Sequence, residues 1–260
     1  MSAQRESDPF RLDGKLALVT GASSGLGRHF ALRLARAGAR IAVAARRTEL
    51  LEAVVADIVA AGGAAYAVHL DVTDSSSVRE CFNCIGAEMG VPDIVLSNAG
   101  LTVTKPLLEQ NESDWDQVLD TNLKGCWLVG TEAARRMQTA NKGGSLINIA
   151  SILGERVAGG VAPYAISKAG MVQATKVMAL ELARYGIRVN ALLPGYMVTD
   201  LNRGFLDSDA GRRLRARIPS RRFGEPADLD GPLLLLASDA GRAMSGATLA
   251  VDGAHLVSSL

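Results

Sequence analysis

A tyrosine and a lysine four residues apart are the side chains in this sequence best suited to chemistry. Tyr164 and Lys168 lie in a stretch whose pattern predicts a helix, so both fall on one face of it. A free tyrosine has a pKa of about 10, too high for efficient proton transfer at neutral pH, and a nearby ammonium group lowers it. The pair therefore predicts a proton donor and acceptor, although an ordinary pair on a helix surface has the same spacing.

A glycine-rich turn follows the first predicted strand and leads directly into a predicted helix. Glycines allow a tight turn in which backbone N–H groups approach a pyrophosphate, and the helix N-terminus adds positive potential. The strand–turn–helix context makes the pattern a stronger signal than glycines alone. The turn predicts a dinucleotide-binding site made of Gly21, Ser23, Ser24, Gly25, Leu26 and Gly27.

Polar or turn-forming residues also follow the other predicted strands. Each alone is equally consistent with a helix cap or a tight turn. Together they mark one edge of one sheet, where parallel α/β sheets bind their ligands. They are Asp71 and Val72 after strand three, Asn98, Ala99 and Gly100 after strand four, Ser151 after strand five, and Pro194, Gly195 and Thr199 after strand six.

Short apolar runs alternate with helical patterns along the chain, which predicts a parallel sheet covered by helices on both faces. The predicted strands are residues 16–20, 41–44, 64–70, 94–97, 146–149, 187–191 and 248–251. Residues 114–140 are predicted to form one long helix or two, and Thr48 is predicted to cap the second helix. Without a linker or repeat, residues 1–260 are predicted to form a single α/β domain, a doubly wound Rossmann fold with a mostly parallel seven-stranded sheet.

The bulk composition argues against several kinds of partner. A net charge of +1 gives no reason to expect nucleic acid or a membrane surface, and no apolar run approaches the roughly 20 residues that span a bilayer. Three cysteines and three histidines are too few and too scattered to suggest disulfides or a metal site. Since the polar N-terminus does not look like a signal peptide, the expected location is cytoplasmic.

These residues together resemble the short-chain dehydrogenase/reductase family over essentially the whole chain. Residues 20–27 resemble the family's cofactor turn, and residues 98–100 its sheet-stabilising motif. Tyr164 and Lys168 resemble its catalytic pair, and Ser151 precedes the tyrosine by 164 − 151 = 13 residues, similar to the family's spacing. Within the family, the chain resembles 3-oxoacyl-acyl-carrier-protein reductases and gluconate 5-dehydrogenases.

The resemblance implies a role for each catalytic residue. Tyr164 would pass a proton to a carbonyl oxygen as hydride arrives at carbon, and Ser151 would hold that oxygen. Lys168 would lower the pKa of the tyrosine and hold the ribose hydroxyls, and Asn122, at the family's fourth catalytic position, would fix a water that links Lys168 to solvent. The stretch 194–199 would meet the nicotinamide carboxamide.

The residues after strand two bear on the choice of dinucleotide. An acid near this point usually grips the ribose 2′-hydroxyl of NAD, whereas an arginine accommodates the 2′-phosphate of NADP. Ala45 occupies the position of the expected acid, and Arg46 and Arg47 follow it. Ser24 stands where many NADP-using relatives have a second basic residue. NADP(H) is therefore favoured, and NAD(H) stays possible because both arginines can equally be solvated surface charges.

The region 201–224 is the least typical part of the chain. It carries seven arginines, namely Arg203, Arg212, Arg213, Arg215, Arg217, Arg221 and Arg222. The resemblance implies a lid over the substrate at about residues 200–224. The arginines form either a solvated helix face or an anion-attracting rim for an acyl carrier, a coenzyme thioester or a sugar acid.

Two classes of function follow from these observations. The first is an NADP(H)-dependent oxidoreductase acting on a small carbonyl or secondary alcohol substrate, and a complete catalytic set favours it. The second is a dinucleotide-bound sensor or scaffold without turnover. Relatives assemble as homodimers or homotetramers through helices that correspond to residues 114–140 and 162–185. Trp115 and Trp127 lie in the first of these, although a core role for either is as consistent with the sequence.

Overall fold

Seven parallel strands form one sheet in the computed structural model, which describes residues 8–199 and 202–259. The order across the sheet is β3-β2-β1-β4-β5-β6-β7. This confirms the predicted doubly wound α/β fold. The strands are β1 Leu16–Thr20, β2 Arg40–Ala45, β3 Ala65–His69, β4 Ile94–Ser97, β5 Gly144–Ile149, β6 Ile187–Pro194 and β7 Thr248–Val251.

Nine α-helices accompany the sheet in the described residues. The predicted helical region 114–140 is α4 and α5 joined without a break by a π-helical segment, Asp120–Lys124. The prediction that Thr48 caps the second helix is wrong, because Arg47 is the N-cap residue and Thr48 already lies in the first turn. The helices are α1 Gly25–Arg36, α2 Thr48–Ala60, α3 Ser75–Glu88, α4 Glu112–Leu119, α5 Gly125–Thr139, α6 Ala162–Leu182, α7 Arg203–Leu206, α8 Asp209–Arg215 and α9 Asp230–Ala237.

The central strand β1 is buried and mostly apolar on both faces, because helices cover both faces of the sheet. In β1, Ala17 and Val19 pack with Phe30 of α1 in the core layer that α2 and α9 complete. Leu16 and Leu18 point the other way, into the layer formed with α3, α5 and α6. Burying one such side chain contributes roughly 1.5–3 kcal/mol, so the two layers hold the strand ends in fixed positions.

The strand order reverses between β1 and β4. Chain connections run to β2 and β3 on one side of this point and to β5, β6 and β7 on the other. The loops that leave the carboxyl ends of β1 and β4 therefore diverge and open a crevice at the edge of the sheet.

Strand β6 is three residues longer than predicted. The sequence pattern ends it at Ala191, before a proline, but Leu192 and Leu193 continue the pairing with β7, and Pro194 pairs with Val251. Proline is tolerated here because it is the last residue of the strand.

Candidate active site

Hydrogen bonds from the loop after β4 fix the glycine-rich turn after β1. The buried Thr20 hydroxyl accepts the backbone N–H groups of Asn98 and Ala99 at 3.0 and 3.1 Å. The Asn98 amide donates in return to the carbonyl oxygens of Thr20 and Gly21 at 3.0 and 3.3 Å. The two loops at the strand-order reversal are thus fixed to each other. The sequence analysis included Thr20 in the cofactor turn and Asn98 in the sheet-stabilising motif, but it did not predict that the Thr20 hydroxyl joins the two.

Two glycines in the turn are required by close approach. A Cβ atom on Gly27 would lie 2.2 Å from the carbonyl oxygen of Gly21 and 2.6 Å from Nδ2 of Asn98. Gly21 has a φ of +65°, and a Cβ there would lie 2.8 Å from Cα of Ala99. Because these positions have no side chain, α1 packs closely against the turn. The surface of the turn is therefore formed by backbone atoms.

The N-terminus of α1 offers free backbone donors to an anion. In the described part of the chain, the N-cap residue Ser24 makes no side-chain cap bond and the first turn holds no acidic residue. The first N–H groups of a helix lack intrahelical partners, and the helix dipole favours negative charge there. Arg47 adds a positive charge beside this end, donating to the hydroxyls of Ser23 and Ser24 at 3.1 and 3.3 Å.

Arg46 is exposed at the carboxyl end of β2, directly after the buried Ala45. It faces Asp71, which follows β3. Burial alone would raise the pKa of the Asp71 carboxyl, but hydrogen bonds from Thr73 and the charge of Arg46 hold that pKa below its usual value. The carboxylate stays ionised and bound to its own turn, so Arg46 and Arg47 form a positive rim at the mouth of the crevice.

Val72, the other predicted cofactor residue after β3, is buried. Its Cγ2 atom lies 2.7 Å from where a Cβ on Gly125 would stand. Its side chain therefore packs against the first residue of α5, and only its main chain can face a ligand.

Ser151 and Tyr164 meet on the opposite side of the crevice. Ser151 follows β5, and its Oγ accepts the N–H of Leu153 at 3.1 Å, which fixes the side chain. Burial raises the pKa of the Tyr164 phenol, and a hydrogen bond with Ser151 opposes this rise. The serine is thus the neighbour that favours the ionised phenol.

Lys168 is buried one turn further along α6. Its Nζ atom donates to the carbonyl oxygen of Ile149 at 2.7 Å and lies 5.6 Å from the centre of the Tyr164 ring. Burial lowers the pKa of the ammonium group to about 8. The protein's own side chains leave the pKa of Tyr164 above its usual value, contrary to the lowering expected from Lys168, because burial of the phenol outweighs the neighbouring groups.

Asn122 lies in the π-helical segment and is fully buried. Its Nδ2 donates to the carbonyl oxygen of Leu101 at 2.9 Å and to the Ser167 hydroxyl at 3.0 Å, and its Oδ1 accepts the Leu101 N–H at 2.8 Å. A Cβ on Gly100 would lie 3.1 Å from this Oδ1 and 3.7 Å from Nζ of Lys168. Asn122 therefore joins the loop after β4 to α6, next to Lys168. Its side-chain N–H groups are both engaged, so its predicted water contact stays a prediction.

Comparison with known proteins identifies the family to which this chain belongs. A family model described as enoyl-(acyl carrier protein) reductase matches residues 21–254. The 3-oxoacyl-[acyl-carrier-protein] reductase FabG of Staphylococcus epidermidis is 38% identical over 240 residues, which cover 92% of this chain and 98% of that protein. The chain belongs to the short-chain dehydrogenase/reductase family. It is accordingly an NAD(P)-dependent oxidoreductase acting on CH–OH donors.

Other members of the family are equally similar. The D-threitol dehydrogenase of Mycolicibacterium smegmatis is 37% identical over 248 residues, 95% of each chain. The crystal structure of a gluconate 5-dehydrogenase from Burkholderia cenocepacia, in complex with NADP and tartrate, is 37% identical with a TM-score of 0.93 and covers 97% of this chain and 99% of that one. The three relatives act on a thioester, a neutral polyol and a sugar acid by their names, so the family alone does not choose a substrate class.

The segment after β6 lies at the carboxyl edge of the sheet, next to the candidate active site. A Cβ on Gly195 would lie 2.8 Å from Cβ of Asp252, so the Pro194-Gly195 turn fits closely against the chain after β7. The Thr199 N–H is accepted by Oδ1 of Asn202 at 2.9 Å. Asp200 and Leu201, where the predicted lid begins, lie outside the described residues, as do residues 1–7 and 260 of the predicted single domain.

The described residues show neither a metal site nor a membrane-spanning helix. They contain no group of three or more histidine, cysteine or carboxylate side chains that could hold a metal ion. Within the same ranges, no helix combines the length and apolarity needed to cross a membrane.

Proposed function

We propose that this protein is an NADP(H)-dependent oxidoreductase that interconverts a carbonyl and a secondary alcohol. The observation that carries the proposal is the placement of Ser151 and Lys168 around the phenol of Tyr164, across the crevice from the glycine turn. The residues present fit a dinucleotide, because the turn exposes backbone, α1 begins with free N–H groups and Arg46 and Arg47 supply positive charge. The bound nicotinamide would supply or accept the hydride.

The side chains around the phenol would handle the proton. Tyr164 would donate its hydroxyl proton to the carbonyl oxygen during reduction, and Ser151 would hydrogen-bond the same oxygen and fix its position. Lys168, held by the carbonyl oxygen of Ile149, would stabilise the phenolate with its charge and reach the ribose hydroxyls. Asn122 would fix a water beside Lys168 through which the proton is returned.

The remaining predicted residues would hold the cofactor. The pyrophosphate would lie on Gly21, Ser23, Ser24, Gly25, Leu26 and Gly27, and the nicotinamide carboxamide would meet Pro194, Gly195 and Thr199. Asp71, Val72, Asn98, Ala99 and Gly100 would line the crevice between them. Arg46 and Arg47 would hold the 2′-phosphate, which supports NADP(H) over NAD(H), and the Burkholderia relative was crystallised with NADP.

The substrate would enter under α7 and α8. These two short helices belong to the predicted lid, and an isolated β-bridge ties the chain before them to the chain after them, because Val198 N–H donates to Gly224 O at 2.8 Å and Gly224 N–H donates to Tyr196 O at 2.9 Å.

An assay of cofactor consumption tests the proposal. The purified protein is incubated with NADPH and, separately, with acetoacetyl-coenzyme A, 5-keto-D-gluconate and a small neutral ketone, and the loss of NADPH absorbance is followed. We expect turnover of at least one class, abolished in Tyr164→Phe. No NADPH consumption above background on any substrate would contradict an oxidoreductase role and favour the sensor or scaffold.

We also infer a homodimer or homotetramer built on the outer faces of α5 and α6. Trp127 is 50% exposed and Leu180 is 82% exposed on these faces. Trp127 lines two apolar hollows of about 340 and 290 Å³. Light scattering should give a multiple of the 27.2 kDa chain mass, reduced towards the monomer by Leu180→Glu and unchanged by Glu88→Gln, an exposed change on α3. A monomeric wild-type protein would remove this inference.

A further inference from the structure

One buried nitrogen in the chain after β7 has no hydrogen-bond partner among the described residues. Among residues 8–199 and 202–259, Nδ1 of His255 is the buried side-chain nitrogen or oxygen that makes no hydrogen bond. The side chain lies just after β7 and is only 6% exposed. A buried polar atom without a partner costs about 1–3 kcal/mol, so such an atom at a binding site points to a ligand that completes it.

His255 is connected to the reacting phenol through one aromatic ring. Tyr196 follows β6, and its ring centre lies 5.9 Å from that of His255 and 6.5 Å from that of Phe223. Tyr196 is also close enough to Tyr164 to affect its pKa, which it raises after the larger effects of burial and the Ser151 hydrogen bond. The ring of Tyr196 therefore separates His255 from the atoms at which proton transfer is proposed.

Positive charge surrounds this histidine. The guanidinium of Arg156, five residues after Ser151, donates to the carbonyl oxygen of His255 and to the Ser258 hydroxyl, the latter at 2.7 Å. Arg217 approaches from the segment after α8, and Asp252 approaches from the chain after β7. The Asp252 carboxylate is engaged by the backbone N–H groups of Ala254 and Leu256 at 3.0 and 2.5 Å. Two arginines and one aspartate leave one net positive charge around a buried imidazole.

The imidazole itself is neutral at pH 7 in this setting. Burial lowers its pKa most, Arg156 and Arg217 lower it further, and Asp252 opposes them. A neutral imidazole protonated on Nδ1 is a hydrogen-bond donor, and an anion placed beside it would favour the doubly protonated form.

We propose that Arg156, Tyr196 and His255 form a subsite that binds the carboxylate of the substrate. We call these three residues the acid subsite. Its position rests on the proposed function, because Tyr164 marks where the carbonyl carbon lies. One net positive charge matches a carboxylate better than a doubly charged phosphate. A neutral ketone or an acyl thioester would bring no carboxylate that could bind both Arg156 and His255. The substrate class is therefore a hydroxy acid and its oxo acid.

Matched substrates test the acid subsite by kinetics. D-Gluconate and D-glucitol differ at one end, where a carboxylate replaces a hydroxymethyl group, and 3-hydroxybutyrate and its methyl ester differ likewise. With NADP⁺, we expect kcat/KM to favour the acid of the preferred pair by at least about tenfold, as a charge-assisted hydrogen bond allows. A wild-type protein that turns over the neutral partner equally well would overturn the proposal.

Two variants separate anion binding from a structural role. His255→Phe keeps a ring beside Tyr196 and removes the nitrogen, and Arg156→Gln removes the charge. Each should lower kcat/KM for the acid by about tenfold or more and leave the neutral partner within about threefold, and Arg156→Lys should recover part of the loss. Arg79→Gln, an exposed change on α3, is the matched control and should alter neither. Equal losses on acid and neutral substrate would show a structural role and overturn the acid subsite.

A titration observed by NMR needs neither cofactor nor turnover. The chain has three histidines, so the imidazole signals of His255 can be assigned by their disappearance in His255→Phe. Adding sodium gluconate or tartrate should raise the pKa of His255 by about half a unit or more and leave His29 and His69 unchanged, relative to sodium chloride at the same ionic strength. No shift, or an equal shift of all three, would overturn the acid subsite. A shift together with no NADP-dependent turnover of any substrate would overturn the proposed function alone.

Discussion

The two regions on either side of Tyr164 differ in composition, because one presents mainly backbone atoms and the other mainly side chains. On the nucleotide side, the glycine turn and the loop after β4 present backbone, and each fixes the other through Thr20 and Asn98. On the side where we propose that the substrate binds, the site is made of side chains, among them Tyr196 after β6 and His255 after β7. A site made of backbone suits a ligand that is the same in every relative, whereas side chains can change without disturbing the fold.

The largest expected effect is the loss of activity when Tyr164, which lies between the two sides, is replaced. Tyr164→Phe should reduce kcat/KM by about 10²–10⁴-fold, because it removes the proton donor and keeps the ring. NADPH affinity, measured by calorimetry, should change less than about threefold. Tyr66→Phe on β3 is the control and should keep full activity. A Tyr164→Phe protein with more than about a tenth of wild-type activity would show that another group transfers the proton.

The buried charge of Lys168 should appear in the pH dependence of stability. Its pKa is about 8 in the folded protein and about 10.5 when unfolded, so the unfolded state binds more protons between these values and the free energy of unfolding rises with pH across this window. The gain is on the order of 3 kcal/mol. Denaturant unfolding from pH 7.5 to 10.5 should show this rise in the wild type and lose it in Lys168→Met. Parallel pH profiles for the two proteins would contradict it.

On the nucleotide side, we expect the choice between NADPH and NADH to depend on the side chains of Arg46 and Arg47 at the rim, and not on the backbone of the glycine turn. NADPH should bind about 10–150-fold more tightly than NADH, as expected for a charge-assisted contact of roughly 1.5–3 kcal/mol. Ala45→Asp combined with Arg46→Gln should reverse the preference, measured by calorimetry. Arg36→Gln, at the exposed end of α1, should leave it unchanged. Equal affinities in the unaltered protein would remove the role given to Arg46.

The glycine turn should tolerate substitution poorly. Gly27→Ala places a Cβ 2.2 Å from a backbone oxygen, and such overpacking typically costs about 1–3 kcal/mol. We expect lower stability in urea and weaker NADPH binding. Gly86→Ala is the matched control, because it lies inside α3 with no atom within 4 Å of the new Cβ, and it should stabilise by about 0.5–1 kcal/mol. Equal behaviour of the two variants would mean that the turn can relax.

The smallest effect concerns the arginines of α8. Arg212 pairs with Asp209, so its charge is largely compensated, and Arg213 and Arg215 are the better candidates for steering an anion. Replacing both with glutamine should reduce kcat/KM for an acid substrate a few-fold at low ionic strength and leave it nearly unchanged near 0.15 M, where the Debye length is about 8 Å. A neutral substrate should show no salt dependence. The same salt profile for both substrates would leave α8 as a solvated helix.

The sequence predicted the nucleotide side better than the substrate side for a physical reason. Residues 20–27 and 98–100 lie at strand ends, and local spacing specifies what their backbone does. The association of Arg156, Tyr196 and His255 depends on three loops meeting in space, and no local pattern reports it. His255 was given no role from the sequence. Among the protein's own groups, burial has the largest effect and raises the pKa of Tyr164, and burial cannot be read from a four-residue spacing. The lowering predicted for Lys168 together with a nicotinamide cation stays a prediction.

The π-helical turn at Asn122 lets one residue be placed in the interior without changing the orientation of the exposed helix faces on either side of it. Each residue of an α-helix turns the chain by about 100°. Trp115 and Trp127 are 127 − 115 = 12 residues apart, which in a regular helix would place them roughly 120° from each other. A π-turn accommodates one extra residue and reduces this angle to roughly 20°. Deleting a single residue here would leave the two tryptophans 11 residues apart in a regular helix, again at roughly 20°. The deletion would therefore displace Asn122 without rotating the exposed face of α5.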